Sequence, residues 1–458
     1  MEHPDIQTSL EYSILTEDTA SKTGTVSVSL NKEESLNCTG TTLNIPSSIE
    51  HNGILYTVTH IERYAFFGSS NLKSITIPDS VISIGEWAFK ECTGLTAITI
   101  PDSVISIGDW AFEECTSLAS ITIPDSVTSI GDWAFEECKS LTSITIPKSV
   151  TSMGGCVFLK CSSLTSINVE EGNNNYISVD GVLFTKDMTS LIRYPSRKKG
   201  KKYTISDSVT SLAFGAFEGC RSLVSITIPD SVTSIKGCAF LECSSLTSIN
   251  VEEGNNNYVS VDGALFTKDM TSLISYPCGK KDKKYTIPDS VTSIGSEAFE
   301  GCRRLVSITI PESVTSVGDS AFSDCTNLVS ITIPDNVISI GESVFCDCTS
   351  LVSIKIPNSI TSIGDGTFSG CARLTNITIP DSVTNIEDWA FMECVSLTSI
   401  TIPKSVTSMG DGAFFGCSGL RRVCFEGNTP EMGDGVFNDC SALEPTNFEE
   451  DINGRTDL

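Results

Sequence analysis

Histidine is nearly missing from this chain: three in 458 residues, His3, His51 and His60, all close to the N-terminus. Beyond His60 nothing can act as a histidine base or an imidazole ligand, which removes the commonest proton shuttle and metal donor from most of the sequence. No Cys-x-x-Cys pair occurs among the nineteen cysteines, so the usual zinc and redox spacing is absent. No run of eighteen apolar residues exists to span a membrane as a helix. Met1 to Leu30 carries Asp5, Glu11, Glu17 and Asp18 and lacks the apolar stretch of a secretion leader. Basic residues are few as well: 30 Lys and Arg against 57 Asp and Glu leave a formal charge of −27. Such a surface repels duplex nucleic acid and anionic membranes, and a nucleic-acid partner is not expected.

What is abundant is repetition. Pro78, Pro101, Pro124 and Pro147 stand 23 residues apart, and the beat resumes from Pro288 to Pro403. A phenylalanine keeps the same time from Phe66 to Phe437; its two intervals of 59 residues each conceal one coil of 36. A 23-residue unit cannot enclose a core alone, so stacking must bury it, and the chain is expected to be a solenoid. Within one unit, Leu141 to Pro147 alternates apolar and polar residues and predicts a short strand that the proline ends. Val150 to Met153 predicts a second extended piece, and Trp110 to Cys115, with Phe112 and Cys115 three apart, predicts a helical turn on the convex side.

The pattern L-x-x-I-x-I-P-x-S-V-x-x-I-G-x-x-A-F-x-x-C, repeated over residues 41–440, resembles the BspA-like leucine-rich repeat. The resemblance implies a β-rich solenoid: a right-handed leucine-rich-repeat superhelix of 23-residue coils with a parallel sheet and short convex helical turns. It also implies a surface or secreted protein of adhesion type, with no catalytic residues to carry over. On this reading residues 1–66 are an N-terminal cap and first repeat, with Asn52-Gly53 as a hairpin turn. Residues 67–440 are the solenoid, and 441–458 a polar tail.

Thirteen cysteines follow the repeat phenylalanine by three residues, from Cys92 to Cys440. Equivalent side chains on stacked coils point in parallel at about the strand spacing of ~4.8 Å, wider than a disulfide prefers, so reduced core thiols are expected. Cys38, Cys156, Cys238, Cys278, Cys346 and Cys424 fall outside the row, and partly buried packing is expected of them too. The Asp after the repeat proline, as at Asp79 and Asp102, suits a turn better than a calcium ladder, because one carboxylate per coil supplies too few oxygens. No metal or other cofactor is expected.

Two features could meet a partner. The middle residue of each strand is usually Thr, including Thr227, Thr309 and Thr332, with a Ser two residues earlier on the same face; this hydroxyl surface is either plain β-propensity or a concave recognition face. The lengthened coils, 170–205 and 252–287, are near-copies offset by 82 residues and 13 residues longer than the rest. Each holds Gly-Asn-Asn-Asn-Tyr and Val-Asp-Gly, and extra strands are expected in place of the helical turn. Arg193, Arg197, Lys198, Lys199, Lys201 and Lys202 crowd the first, and Lys280, Lys281, Lys283 and Lys284 the second. They are either solvated turns or contacts for an acidic protein or sulfated glycan. Catalysis is not expected, since Ser, Asp and Cys recur as repeat equivalents rather than converging once. The reading is therefore a non-catalytic, monomeric binding protein; the alternatives are an intracellular protein–protein scaffold and, more remotely, an ice-binding surface.

Overall fold

Alternation decides which residues face inward. In the strand Ser143–Ile146, Ile144 and Ile146 are buried while Ser143 and Thr145 are exposed. A turn closed by Val150 N–H to the Pro147 carbonyl then leads into the two-residue strand Ser152–Met153. The computed structural model describes residues 10–30, 42–443 and 448–450, the last three as backbone only. It divides into two compact units, Met1–Gly200 with Ser208–Ser222 and Ser234–Phe240, and Lys201–Asp207 with Leu223–Thr233 and Leu241–Leu458. Each unit is a β-solenoid whose coils pair in parallel at the repeat interval: Ala97, Ile98 and Thr99 lie against Ser120, Ile121 and Thr122, and Ser106 and Ile107 against Ser129 and Ile130.

The convex segment is not helical; no helix occurs among the described residues. Its amides alternate in direction. Trp110, Phe112 and Glu114 donate to Asp132, Ala134 and Glu136 of the next coil, while Glu113 and Cys115 donate three residues back, to Trp110 and Phe112. Spending every second amide between coils forbids a helix, which keeps all of them within itself. The chain manages this with two left-handed residues per coil, such as Trp110 (φ 51°) and Glu114 (φ 57°).

Stacking aligns the core in columns. Phe66, Phe89, Phe112, Phe135 and Phe158 lie ring on ring at 5.1, 5.2, 5.4 and 6.0 Å. In the long coils Tyr194 and Tyr276 take the phenylalanine's place, against Phe217 and Phe299 at 5.5 and 5.2 Å. Polar side chains stitch the coils: Ser126 and Ser149 donate to the carbonyls of Val104 and Val127, and the carboxylates of Asp109 and Asp132 accept the Asp132 and Gly155 amides.

At the N-terminal end Leu10–Asp18 pairs antiparallel with Thr23–Leu30, which runs parallel to Ile54–Ile61. Ser48–His51 folds back on Ile54–Ile61 across Asn52 (φ 51°) and Gly53 (φ 73°). At the far end Phe448–Glu450 pairs in parallel with Arg422–Phe425, which the expected tail did not anticipate; residues 444–447 and 451–458 of that tail lie outside the described residues.

Each lengthened coil carries a three-stranded meander: Tyr176–Val179, Val182–Thr185 and Ser190–Arg193 in the first, Tyr258–Val261, Ala264–Thr267 and Ser272–Ser275 in the second. The last strand of each continues the two-residue strand row, through Ser211–Leu212 and Ser293–Ile294. The extra chain therefore replaces the proline turn between the two strands of an ordinary coil, not the convex turn. Buried Asn173 holds it down: its side-chain amide donates to the Pro147 and Val150 carbonyls at 2.9 and 3.1 Å, and its oxygen accepts the amides of Asn175 and Tyr176. Asn255 does the same in the second copy.

Candidate partner-binding surface

The second unit sets lysines and hydroxyls on one face. Its strand Lys202–Thr204 lies beside Ser225–Ile228, which lies beside Ser248–Val251, so Lys202, Ser225 and Ser248 form one row and Thr204, Thr227 and Asn250 the next. The pattern returns with Lys284–Thr286: Lys284 heads Ser307, Ser330 and Ser353, and Thr286 heads Thr309 and Thr332. Strand alternation puts both rows on the same side, with Ile226, Ile249, Ile308 and Ile331 turned into the core. Thr309 and Thr332 are exposed, Thr227 half-buried, and Lys202 and Lys284 exposed. Lys201 and Lys283, one residue before, are also exposed, while their carbonyls each accept a neighbouring amide, from Val224 and Val306 at 2.7 Å. Four lysines thus stand on pinned backbone, Lys202 and Lys284 three coils apart.

The other basic residues separate into two kinds. Arg197 and Lys199 of the first unit and Lys281 of the second are exposed. Lys198 and Lys280 tie down the meanders instead: Lys198 donates to the Asp180 carbonyl and Lys280 to that of Asp262 at 2.8 Å. Lys280 also lies 3.4 Å from the Asp282 carboxylate and over the Tyr276 ring. Arg193 does not belong to the surface at all. It is buried and paired with buried Glu218 at 2.6 Å, with further bonds to the Gly215 and Glu218 carbonyls and Ser196 Oγ. A run of basic letters does not reveal that Arg193, one residue before the core Tyr194, ends a strand in the interior.

A shallow depression of about 360 Å³ opens further along the hydroxyl face, lined by Ser330, Thr332, Ser353, Lys355, Asn376 and Thr378. Ser330–Thr332 and Ser353–Lys355 pair at a single residue, Ser330 with Ser353, whereas Ser353–Lys355 and Asn376–Thr378 pair at three. Lys355 takes the threonine position there and forms an exposed ion pair with Asp335 at 2.9 Å.

The cysteine row is a ladder of donors. Cys92, Cys115, Cys138 and Cys161 each give their S–H to the carbonyl of the phenylalanine one coil back, at 3.1, 3.1, 3.2 and 3.1 Å. Twelve of the thirteen row cysteines are free thiols. The exception corrects the expectation of reduced thiols: Cys302 is bonded to Cys278. The parallel-column argument applies only to equivalent positions, and Cys278 comes from a different one, two residues after Tyr276 in a lengthened coil. In the first copy the corresponding place is Ser196, against Arg193 and Glu218.

One further surface went unnoticed in the sequence. Tyr64, Trp87, Trp110 and Trp133 stack on the convex side of the first unit at 4.6, 5.0 and 4.8 Å, with the Arg63 guanidinium over Trp87. The 23-residue spacing of the tryptophans carried that information. Among the described residues no three His, Cys, Asp or Glu side chains converge as a metal site.

The chain is similar to the BspA type leucine rich repeat region, in six copies, over residues 59–180, 196–279, 275–394 and 340–455. Among solved structures, a leucine-rich repeat protein from Eubacterium ventriosum is 24% identical with a TM-score of 0.50, covering 91% of this chain and 90% of its own. A leucine rich cell surface protein from Faecalibacterium prausnitzii is 29% identical with a TM-score of 0.44, over 93% and 95% of the two chains. A leucine-rich repeat protein from Bacteroides ovatus is also 29% identical, with a TM-score of 0.38 over 96% and 93%. No curated protein matches the chain.

Proposed function

The chain belongs to the BspA-type leucine-rich repeat family, and from that premise we propose that it is a surface or secreted binding protein whose second unit takes an acidic protein or sulfated glycan on its hydroxyl face. Leucine-rich repeat proteins are in general non-catalytic binding modules, and this family is typically surface-associated. The observation that carries the reading is the register of Lys202 with Ser225 and Ser248, and of Lys284 with Ser307 and Ser330. Cations at the head of rows of hydroxyl donors match a partner that carries sulfate or carboxylate groups along an extended chain. On a molecule of charge −27 this is a local reversal of sign, which gives selectivity for an anion without general stickiness. The Cys278–Cys302 disulfide supports an oxidising setting, where such bonds persist. No helix among the described residues is long and apolar enough to cross a membrane.

The test is biolayer interferometry against immobilised heparin and against a polyglutamate peptide, over a salt series. Lys201→Glu, Lys202→Glu, Lys283→Glu and Lys284→Glu together are expected to weaken binding by about a hundredfold, some 2.7 kcal/mol. Lys186→Glu with Lys268→Glu, on the exposed meander turns, should leave it unchanged. Equal binding by the two variants would remove the hydroxyl face from the reading.

A further inference from the structure

The first lengthened coil is short on its convex side. Two residues separate Leu191 from Tyr194, where four separate Met153 from Phe158 and Leu212 from Phe217. The shortfall leaves a notch of about 320 Å³ in the first unit, walled by the coils before and after it and edged by Tyr176 and Thr185 of the meander.

The residues around this notch depart from the repeat. Ordinary coils follow the second strand with Gly-Asp, as at Gly108-Asp109 and Gly131-Asp132, and the aspartate stitches coils together. Here the same places hold Ala213-Phe214 and, one coil on, Lys236-Gly237, and all but Gly237 line the cavity. Phe214 is 42% exposed. It lies across Gly237, where an added Cβ would sit 3.3 Å from its ring. An apolar ring in place of a structural carboxylate, left half in water, is a cost the repeat avoids elsewhere.

The polar lining offers donors. Tyr176 Oη accepts the Met153 amide at 2.9 Å and keeps its own proton to give. Lys236 is an exposed cation at the rim. Arg193, only 4% exposed, lines the notch with its Nε–H unpartnered. Of the carboxylates beside it, Glu218 is spent on Arg193 and on the Lys160 amide at 3.0 Å, and Asp132 accepts the Gly155 amide at 2.6 Å. Apolar wall is supplied by Leu159, Ile192 and Phe214.

We propose that this notch is a binding site for a small organic acid with an aromatic or branched apolar group. Its carboxylate would sit between Lys236 and the Tyr176 hydroxyl, on the Arg193 side, with its apolar group against Phe214, Ile192 and Leu159. The size suits an acid of about a dozen heavy atoms. The second lengthened coil is an internal contrast: it has Ser275 where the first has Arg193, and the coil after it keeps the ordinary glycine at Gly295. The site is independent of the lysine face in the second unit.

Isothermal titration of the full chain with 3-phenylpropanoate tests it, with 3-phenylpropan-1-ol as the uncharged match. The acid is expected to bind at a single site at millimolar concentration or below, and the alcohol at least about tenfold more weakly. Phe214→Asp and Lys236→Gly restore the residues of ordinary coils and should fold at least as well; each is expected to weaken the acid by about tenfold or more. The acid should also slow iodoacetamide modification of the half-buried Cys156 in the notch wall, and not that of Cys346 in the second unit. No saturable binding of the acid, or undiminished binding by both restored variants with their unfolding midpoints intact, overturns the proposal.

Discussion

Cys325 gives its S–H to the Phe299 carbonyl at 3.2 Å, and burial pushes its thiol up to about 12. Cys161 and Cys394 are pushed up to about 12 for the same reason. Because the shift is upward, the reactive thiolate is scarce at neutral pH and grows only toward strongly alkaline solution. In the native protein at pH 8, peptide mapping after iodoacetamide is expected to find these row thiols unmodified; labelling as fast as in denaturant would show that the row is open. The Arg193–Glu218 pair calls for a different test at the same scale. Both side chains are buried, so Arg193→Met strands a carboxylate and is expected to cost about 3–5 kcal/mol. Arg193→Met with Glu218→Met removes both charges and should recover most of that loss in urea unfolding. Additive losses would mean that the pair's charge is not what the site depends on.

The 23-residue period, the two extended pieces per coil and the proline break were legible because buried Ile, Val, Leu and Phe recur at fixed intervals. The convex turn was misjudged because Phe112 and Cys115 at a spacing of three fit a helix as well as a chain of turns. A sharper sign lay in the variation between copies. The place of Trp110 is Gly215, Gly366, Gly412 and Gly435 elsewhere, and that of Glu114 is Gly219, Gly301 and Gly416; all have positive φ. A position that alternates between glycine and a larger residue reports left-handed backbone, not helix. Glu297, at φ 60°, is therefore expected to tolerate glycine with little change, while Glu297→Val should lose about 1–2 kcal/mol in thermal or urea unfolding, since a branched Cβ crowds that conformation. The meanders were visible through Asp180-Gly181 and Asp262-Gly263. The role of the first Asn in Gly-Asn-Asn-Asn-Tyr was not, because its partners, Pro147 and Val150, lie a coil away. Asn173→Ala takes the side-chain partner from those two carbonyls and from the Asn175 and Tyr176 amides, at about 1–3 kcal/mol. Amide exchange in 176–185, and at Met153, whose amide rests on Tyr176, should quicken, with 106–146 unaffected.

At the scale of the molecule the candidate surface was only half readable, since sequence shows which residues are basic but not which of them the fold consumes. Ten cations were singled out; Arg193, Lys198 and Lys280 serve the structure, and the register of Lys202 and Lys284 with the hydroxyl rows emerges only from strand pairing. The setting in which that surface acts can be decided by the Cys278–Cys302 bond, because a reducing cytosol removes most such bonds and an extracellular space keeps them. Source cells quenched in acid, alkylated and digested without reductant should yield the linked peptides that contain Cys278 and Cys302. Protease treatment of intact cells should release peptides from 186–202 or 268–284, the segments that carry the exposed Lys186, Lys199, Lys201 and Lys202 and the exposed Lys268, Lys281, Lys283 and Lys284. Both results together place the lysine-bearing face where an acidic protein or sulfated glycan can reach it. Alkylated, unlinked Cys278 in protein recovered only from the lysate would instead put the molecule inside the cell, and the partner sought there would be an acidic cytosolic protein.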